Sequence, residues 1–134
     1  MADMKRQRIT SSGTEEATFG YSRAVRVGNF VFVSGTTATG PHGELLGGDD
    51  PEAQAVAAIE KIGRALAEAG AAFTDVVRTR VYLVNADDAE AVGRAHARFF
   101  LDIRPANTLF EVSRLVGSGY LVEIEADAII GSGG

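Results

Sequence analysis

The apolar positions change period along the chain. They come in short strand-like runs at the front, fall at spacings of three and four in two middle segments, and alternate strictly near the end. Residues 1–5 read as a frayed terminus and 6–9 as a short strand. Residues 10–20, rich in Ser, Thr, Gly and Glu, read as a loop. Residues 23–27 and 30–34 are strand-like, and Gly28-Asn29 between them fits a two-residue hairpin turn. Residues 35–49 hold five glycines and one proline, which predicts a loop with a small hairpin near His42-Gly43.

Asp49 or Asp50 can cap a helix that carries Pro51 in its first turn. Ala55, Ile59, Ile62, Leu66 and Ala69 then form one apolar stripe over about five turns, and Gly70 can end the helix. Residues 76–84 are β-branched and apolar, hence a strand. Asp87 or Asp88 can cap a second helix with the stripe Ala89, Val92, His96, Phe99 and Phe100. Residues 107–113 and 120–130 are the last strands, split by a turn at Gly117-Ser118-Gly119, and 131–134 form a glycine-rich disordered tail. The order predicts one α+β domain over 1–134: a mixed sheet with two helices on one face.

Side chains alternate along a strand, so the uncovered sheet face can be read as well. Val122, Ile124, Ala126, Ala128 and Ile130 point one way, and Glu123, Glu125 and Asp127 the other. Val77, Thr79, Val81 and Leu83 share one side of their strand, with Arg78, Arg80 and Tyr82 opposite. Asn107, Leu109, Glu111 and Ser113 form one row. A face of mixed acids and arginines is either solvated or a subunit interface laced with ion pairs.

Composition narrows the chemistry. There is no cysteine, which excludes disulfides, thiolate metal sites and thiol catalysis. The 18 acids outweigh the 13 bases, giving a net charge of -5, without the basic footprint of a nucleic-acid binder. No apolar run approaches the ~20 residues of a membrane helix, and no signal peptide is legible, so the expected setting is the cytoplasm. His42 and His96 are isolated and make no metal site, and residues 35–48 lack the Lys-Ser/Thr of a phosphate loop.

Several segments in succession resemble one family. Gly20-Tyr21-Ser22-Arg23-Ala24-Val25 followed by Val33-Ser34-Gly35 is similar to the Gly-Pro-Tyr-Ser-Gln-Ala-Val … Val-Ser-Gly pattern of the RidA/YjgF family, the reactive-intermediate (enamine/imine) deaminases also called L-PSP endoribonucleases. Asp75-Val76-Val77-Arg78-Thr79-Arg80-Val81-Tyr82-Leu83 resembles the family's Asp-Val-Val-Lys-Thr-Thr-Val-Phe-Leu strand. Phe99-Phe100, Pro105-Ala106, Val112-Ser113-Arg114-Leu115 and Val122-Glu123-Ile124-Glu125-Ala126 extend the match over residues 6–130. The resemblance implies a chorismate-mutase-like (bacillus-type) fold and a homotrimer with three clefts between subunits. It implies a small-molecule ligand, no cofactor and no metal.

The resemblance also assigns residues. In deaminating members an arginine in Pro-Ala-Arg-Ser grips the substrate carboxylate with two parallel charged hydrogen bonds. Here that position is Asn107, an amide without charge, which places the chain in a branch lacking that arginine. Arg104, three residues earlier, is either a substitute or a surface residue. Glu123 matches the glutamate that positions the attacking water; its other reading is an ion pair with Arg78 or Arg80. Tyr21 matches a cleft-lining tyrosine, and Gly35 a residue whose backbone approaches the ligand. Leu109 matches a residue that offers its backbone. Gly93 stands where the family often has asparagine, Gly20 where it has proline, and His96 where it has tyrosine, a core or rim position. The expected function is binding of a small polar metabolite, with possible hydrolysis of an enamine or imine other than amino-acid-derived 2-imino acids. A non-catalytic binding module is the alternative, and ribonuclease action comes third.

Overall fold

The computed structural model describes residues 4–11 and 13–134. Residues 1–3 of the frayed end expected at 1–5, and Ser12 of the first loop, lie outside the described residues. In chain order the elements are β1 (Arg6–Ile9), α1 (Glu15–Phe19), β2 (Ala24–Val27), β3 (Phe30–Thr36), α2 (Pro51–Glu68), β4 (Val76–Leu83), α3 (Ala89–Phe100), β5 (Ala106–Glu111) and β6 (Val122–Ile129). They build one six-stranded sheet in the order β1-β2-β3-β6-β4-β5. Every pairing is antiparallel except β4 with β5.

The helix stripes follow the expected period. Ala55, Ile59, Ile62, Leu66 and Ala69 are all buried, and α2 covers β3 and β6. The Asp50 carboxylate accepts from the amides of Glu52 and Ala53 at 3.0 and 3.3 Å, which satisfies two otherwise orphan donors. Gly70 takes φ 85°, where a side chain would be strained. In α3, Val92 and Phe100 are buried and the helix lies beside α2. Its entry differs from the expected aspartate cap. Asn85 accepts from the Asp87 amide at 2.9 Å, and a 3-10 turn over Ala86–Asp88 feeds the helix.

Two details depart from the pattern. The expected 10–20 loop contains α1, a helix too short to show a period, with Glu16 buried and accepting from the Ser11 amide at 3.1 Å. Val77 does not join the buried row of Thr79, Val81 and Leu83. A bulge between Val76 and Arg78 turns Val77 outward and gives its inner place to Val76. The 131–134 tail forms a turn, because the buried Asp75 carboxylate accepts from the Gly131 amide at 3.0 Å and the Asp75 carbonyl accepts from the Ser132 hydroxyl at 3.3 Å. The loop after β3 does hold a small hairpin, with Thr39 bridged to Leu45.

Candidate functional site

The uncovered sheet face carries the charges expected of it. Arg80 reaches both Glu125 (3.3 Å) and Asp127 (3.1 Å), and the Tyr82 hydroxyl donates to Glu125 at 2.9 Å. Phe30, Phe32 and Phe110 lie among these groups with about half of each ring residue exposed. Partly exposed pairs of this kind contribute little stability by themselves. A sheet face holding several exposed aromatic rings beside ion pairs is instead what a covered surface looks like.

At one end of this face β3 is interrupted. Val33 pairs with Ala126 and Thr36 with Ile124, so Ser34 and Gly35 occupy a bulge where β6 supplies one residue. Gly35 is needed there for close approach. A Cβ built on it would fall 2.0 Å from a carboxylate oxygen of Glu123. Glu123 therefore lies against bare backbone. Its carboxylate takes part in no ion pair or hydrogen bond among the described residues, since Arg80 is engaged with Glu125 and Asp127. Neither Arg78 nor Arg80 pairs with it among the described residues. Burial pushes the Glu123 carboxyl above its ordinary value, Arg23 pulls against this, and Glu125 adds to the rise.

Arg23 joins the same cluster. Its guanidinium donates to the Gly35 carbonyl at 2.5 Å and lies 6.0 Å from the centre of the Tyr21 ring. Its Nε is buried without a hydrogen-bond partner. Tyr21, Gly35 and Glu123 are thus brought together, with Arg23 between them. Sequence reasoning missed Arg23. The signal was available as a charged residue where the similar family pattern has glutamine.

Asn107 and Leu109 are elsewhere. β5 is the edge strand, and Asn107 pairs with Thr79, Leu109 with Val81, both on the helix-covered face. The Asn107 amide donates to the Thr79 hydroxyl at 2.9 Å, and that oxygen lies 2.8 Å from His96 Nε2. Burial lowers the His96 pKa, so the ring is neutral near pH 7 and can accept a proton from Thr79 in a hydrogen bond. His96 also packs against Phe100, ring centres 4.6 Å apart. A shallow groove beside it is lined by Gly93, His96, Ala97, Phe100, Leu101, Arg104 and Pro105. Arg104 is exposed, adopts φ 55°, and pairs with no acid among the described residues. Among the described residues no group of three or more His, Cys, Asp or Glu could hold a metal ion, and no helix is long and apolar enough to cross a membrane.

Known proteins agree on the fold and the family. The family model for endoribonuclease L-PSP matches residues 13–130. An uncharacterized protein of Streptomyces coelicolor is 40% identical over 127 residues, covering 94% of this chain and 93% of that protein. The human 2-iminobutanoate/2-iminopropanoate deaminase is 33% identical over 132 residues, 98% of this chain and 95% of the enzyme. Among solved structures, Rv2704 of Mycobacterium tuberculosis, described as a member of the YjgF/YER057c/UK114 family, superposes with a TM-score of 0.85 at 44% identity. That match covers 94% of this chain and all of the other.

Proposed function

Starting from the fact that the chain belongs to the endoribonuclease L-PSP (RidA/YjgF) family, we propose that it is a homotrimer that hydrolyses a small imine or enamine lacking a carboxylate next to the reacting carbon. The observation that carries this reading is the half-buried, unpaired carboxylate of Glu123 against the bare backbone of Gly35. A carboxylate without a cation partner keeps its oxygens free for water. Partial burial raises its basicity toward the range useful to a general base. In the reaction, Glu123 takes a proton from water as the oxygen bonds to the imine carbon. That proton passes to nitrogen to give a carbinolamine; its hydroxyl proton then passes to nitrogen through Glu123 as the carbon–nitrogen bond breaks, and a carbonyl compound and ammonia leave. The residues named need no cofactor for this sequence. Tyr21 would line the site, and Gly35 and Leu109 would contribute backbone groups.

The need for a second copy is supported by the placement of two residues. Asn107 and Glu123 belong to opposite faces of one sheet, so a single chain does not present both to one ligand. A second copy, docked over the aromatic and charged face, would supply the missing half. Chromatography with light scattering should return three times the 14.1 kDa chain mass.

The neutral Asn107 sets the expected specificity. Losing a charged bidentate contact costs about 2–3 kcal/mol, roughly two powers of ten in affinity for a carboxylate. Wild-type protein should release ammonia faster from an uncharged imine, generated in place by an amine oxidase, than from 2-iminobutanoate. Asn107→Arg should raise turnover of 2-iminobutanoate by about 100-fold. Equal rates on 2-iminobutanoate for both proteins would overturn this reading. The second reading is a binding module without turnover, favoured by the use of the Asn107 amide within its own chain. RNA cleavage stands last, because the net charge is -5 and the uncovered face is rich in acids.

A further inference from the structure

Position 107 carries an uncharged amide, and position 23 carries a guanidinium. We propose that Arg23 is the positioning residue of this site: it fixes the Gly35 carbonyl and holds its guanidinium near the Glu123 carboxylate that lies against Gly35. The inference rests on the reading of Glu123 as the base. It deepens that reading by naming the group that makes the base usable.

Four observations converge on Arg23. Its backbone is pinned on both sides, donating to the Ile9 carbonyl at 2.8 Å and accepting from the Ser34 amide at 3.0 Å. Its guanidinium spans the β2–β3 edge to the Gly35 carbonyl, the residue whose missing side chain lets Glu123 close in. No ion pair forms between Arg23 and Glu123, so the charge acts through space and leaves the carboxylate oxygens open. The Arg23 Nε is buried without a partner, and leaving such a donor unsatisfied costs free energy.

The electrostatic surroundings of Glu123 are few. Gly35 of β3 brings no charge. Tyr82 of β4 is neutral at physiological pH, with its hydroxyl committed to Glu125. Arg80, also of β4, is engaged by Glu125 and Asp127. Glu125 of β6 repels the Glu123 charge, which leaves Arg23 to oppose that repulsion and the burial. On its far side Arg23 faces Lys61 of α2. The Lys61 ammonium donates to the Thr37 carbonyl at 2.9 Å, and its pKa is pushed down to about 8, first by burial and then by Arg23 and Arg64, with Glu16 opposing.

Glu123 works as a base only when ionised, and a neighbouring cation favours that form. Arg23→Gln should move the Glu123 titration, followed by 13C NMR of glutamate-labelled protein, to higher pH. The acid limb of the pH–rate profile for the uncharged imine should move with it. At a fixed pH below neutrality kcat should fall on the order of tenfold, with KM changed less than twofold. Arg23→Lys should restore the titration by its charge but not the full rate, because a compact ammonium does not reproduce the planar grip on Gly35. Glutamine is the residue of the family pattern here, so the fold should accept it. A Glu123 titration unchanged in Arg23→Gln would overturn the inference even if hydrolysis is observed. A shifted titration with no turnover in any variant would uphold the role of Arg23 and defeat the hydrolytic reading instead.

Discussion

Changing Glu123 to glutamine is expected to slow imine hydrolysis by two to three orders of magnitude, the usual range for losing a positioned general base. The amide has nearly the same shape, so ligand binding and assembly should persist. Stability should hold or rise. The folded Glu123 has a pKa raised by burial, so the native state binds more protons than the unfolded chain between the ordinary carboxylate value of 4.5 and the raised one. Stability from this group therefore falls as pH rises through that window, and the penalty remains at pH 7. Glutamine carries no such penalty. A rate loss coupled to an equal or higher melting temperature would mark Glu123 as a group kept for function at the expense of stability. An unchanged rate would remove it from the reaction, and a ligand-binding protein with no turnover in either form would establish the binding-module reading.

The largest stability effect is expected at Gln54. This residue is fully buried on the first turns of α2 and has no part in the candidate site. Its amide donates to the Gly48 carbonyl at 2.7 Å and the Gly119 carbonyl at 2.9 Å, and its oxygen accepts from the Leu121 amide at 2.9 Å. One side chain thus ties α2 to the loop before it and to the loop that leads into β6. Leucine fills the same space but leaves three backbone groups without partners. At about 1 kcal/mol or more for each, the expected loss is about 3 kcal/mol, read as a lower urea midpoint. A loss below about 1 kcal/mol would mean that water replaces the amide. Gln54→Glu should not rescue, because a carboxylate cannot donate to two carbonyls.

Most of the elements were legible because each depends on neighbours a few residues away. The α2 stripe, the Asp50 cap and the Gly70 stop are all local, and local spacing identifies them. The α1 helix was hidden because five residues show no period. Val77 was assigned to the wrong side because strict alternation assumes an unbroken ladder, and a bulge breaks it. The turn over residues 131–134 depends on Asp75, 56 residues before Gly131, which supplies its acceptor.

The site was legible by type and not by place. Resemblance named Tyr21, Gly35, Asn107, Leu109 and Glu123, and alternation grouped neighbours within each strand. Neither says which rows of different strands share a face, because that depends on strand order, register and bulges. The tertiary structure decided that Gly35 and Glu123 meet on the uncovered face, with Arg23 bonded to Gly35 and 6.0 Å from the Tyr21 ring. It also decided that Asn107 lies on the helix-covered side, bonded to Thr79. It brought Arg23 within reach of Glu123 across a hundred residues of chain, a proximity that no local pattern encodes. The sequence by itself determined the α+β class, the amphipathic helices and the amide at position 107. Which charges stand beside which became fixed only when distant strands paired, since Coulomb interactions and hydrogen bonds act through space and not along the chain.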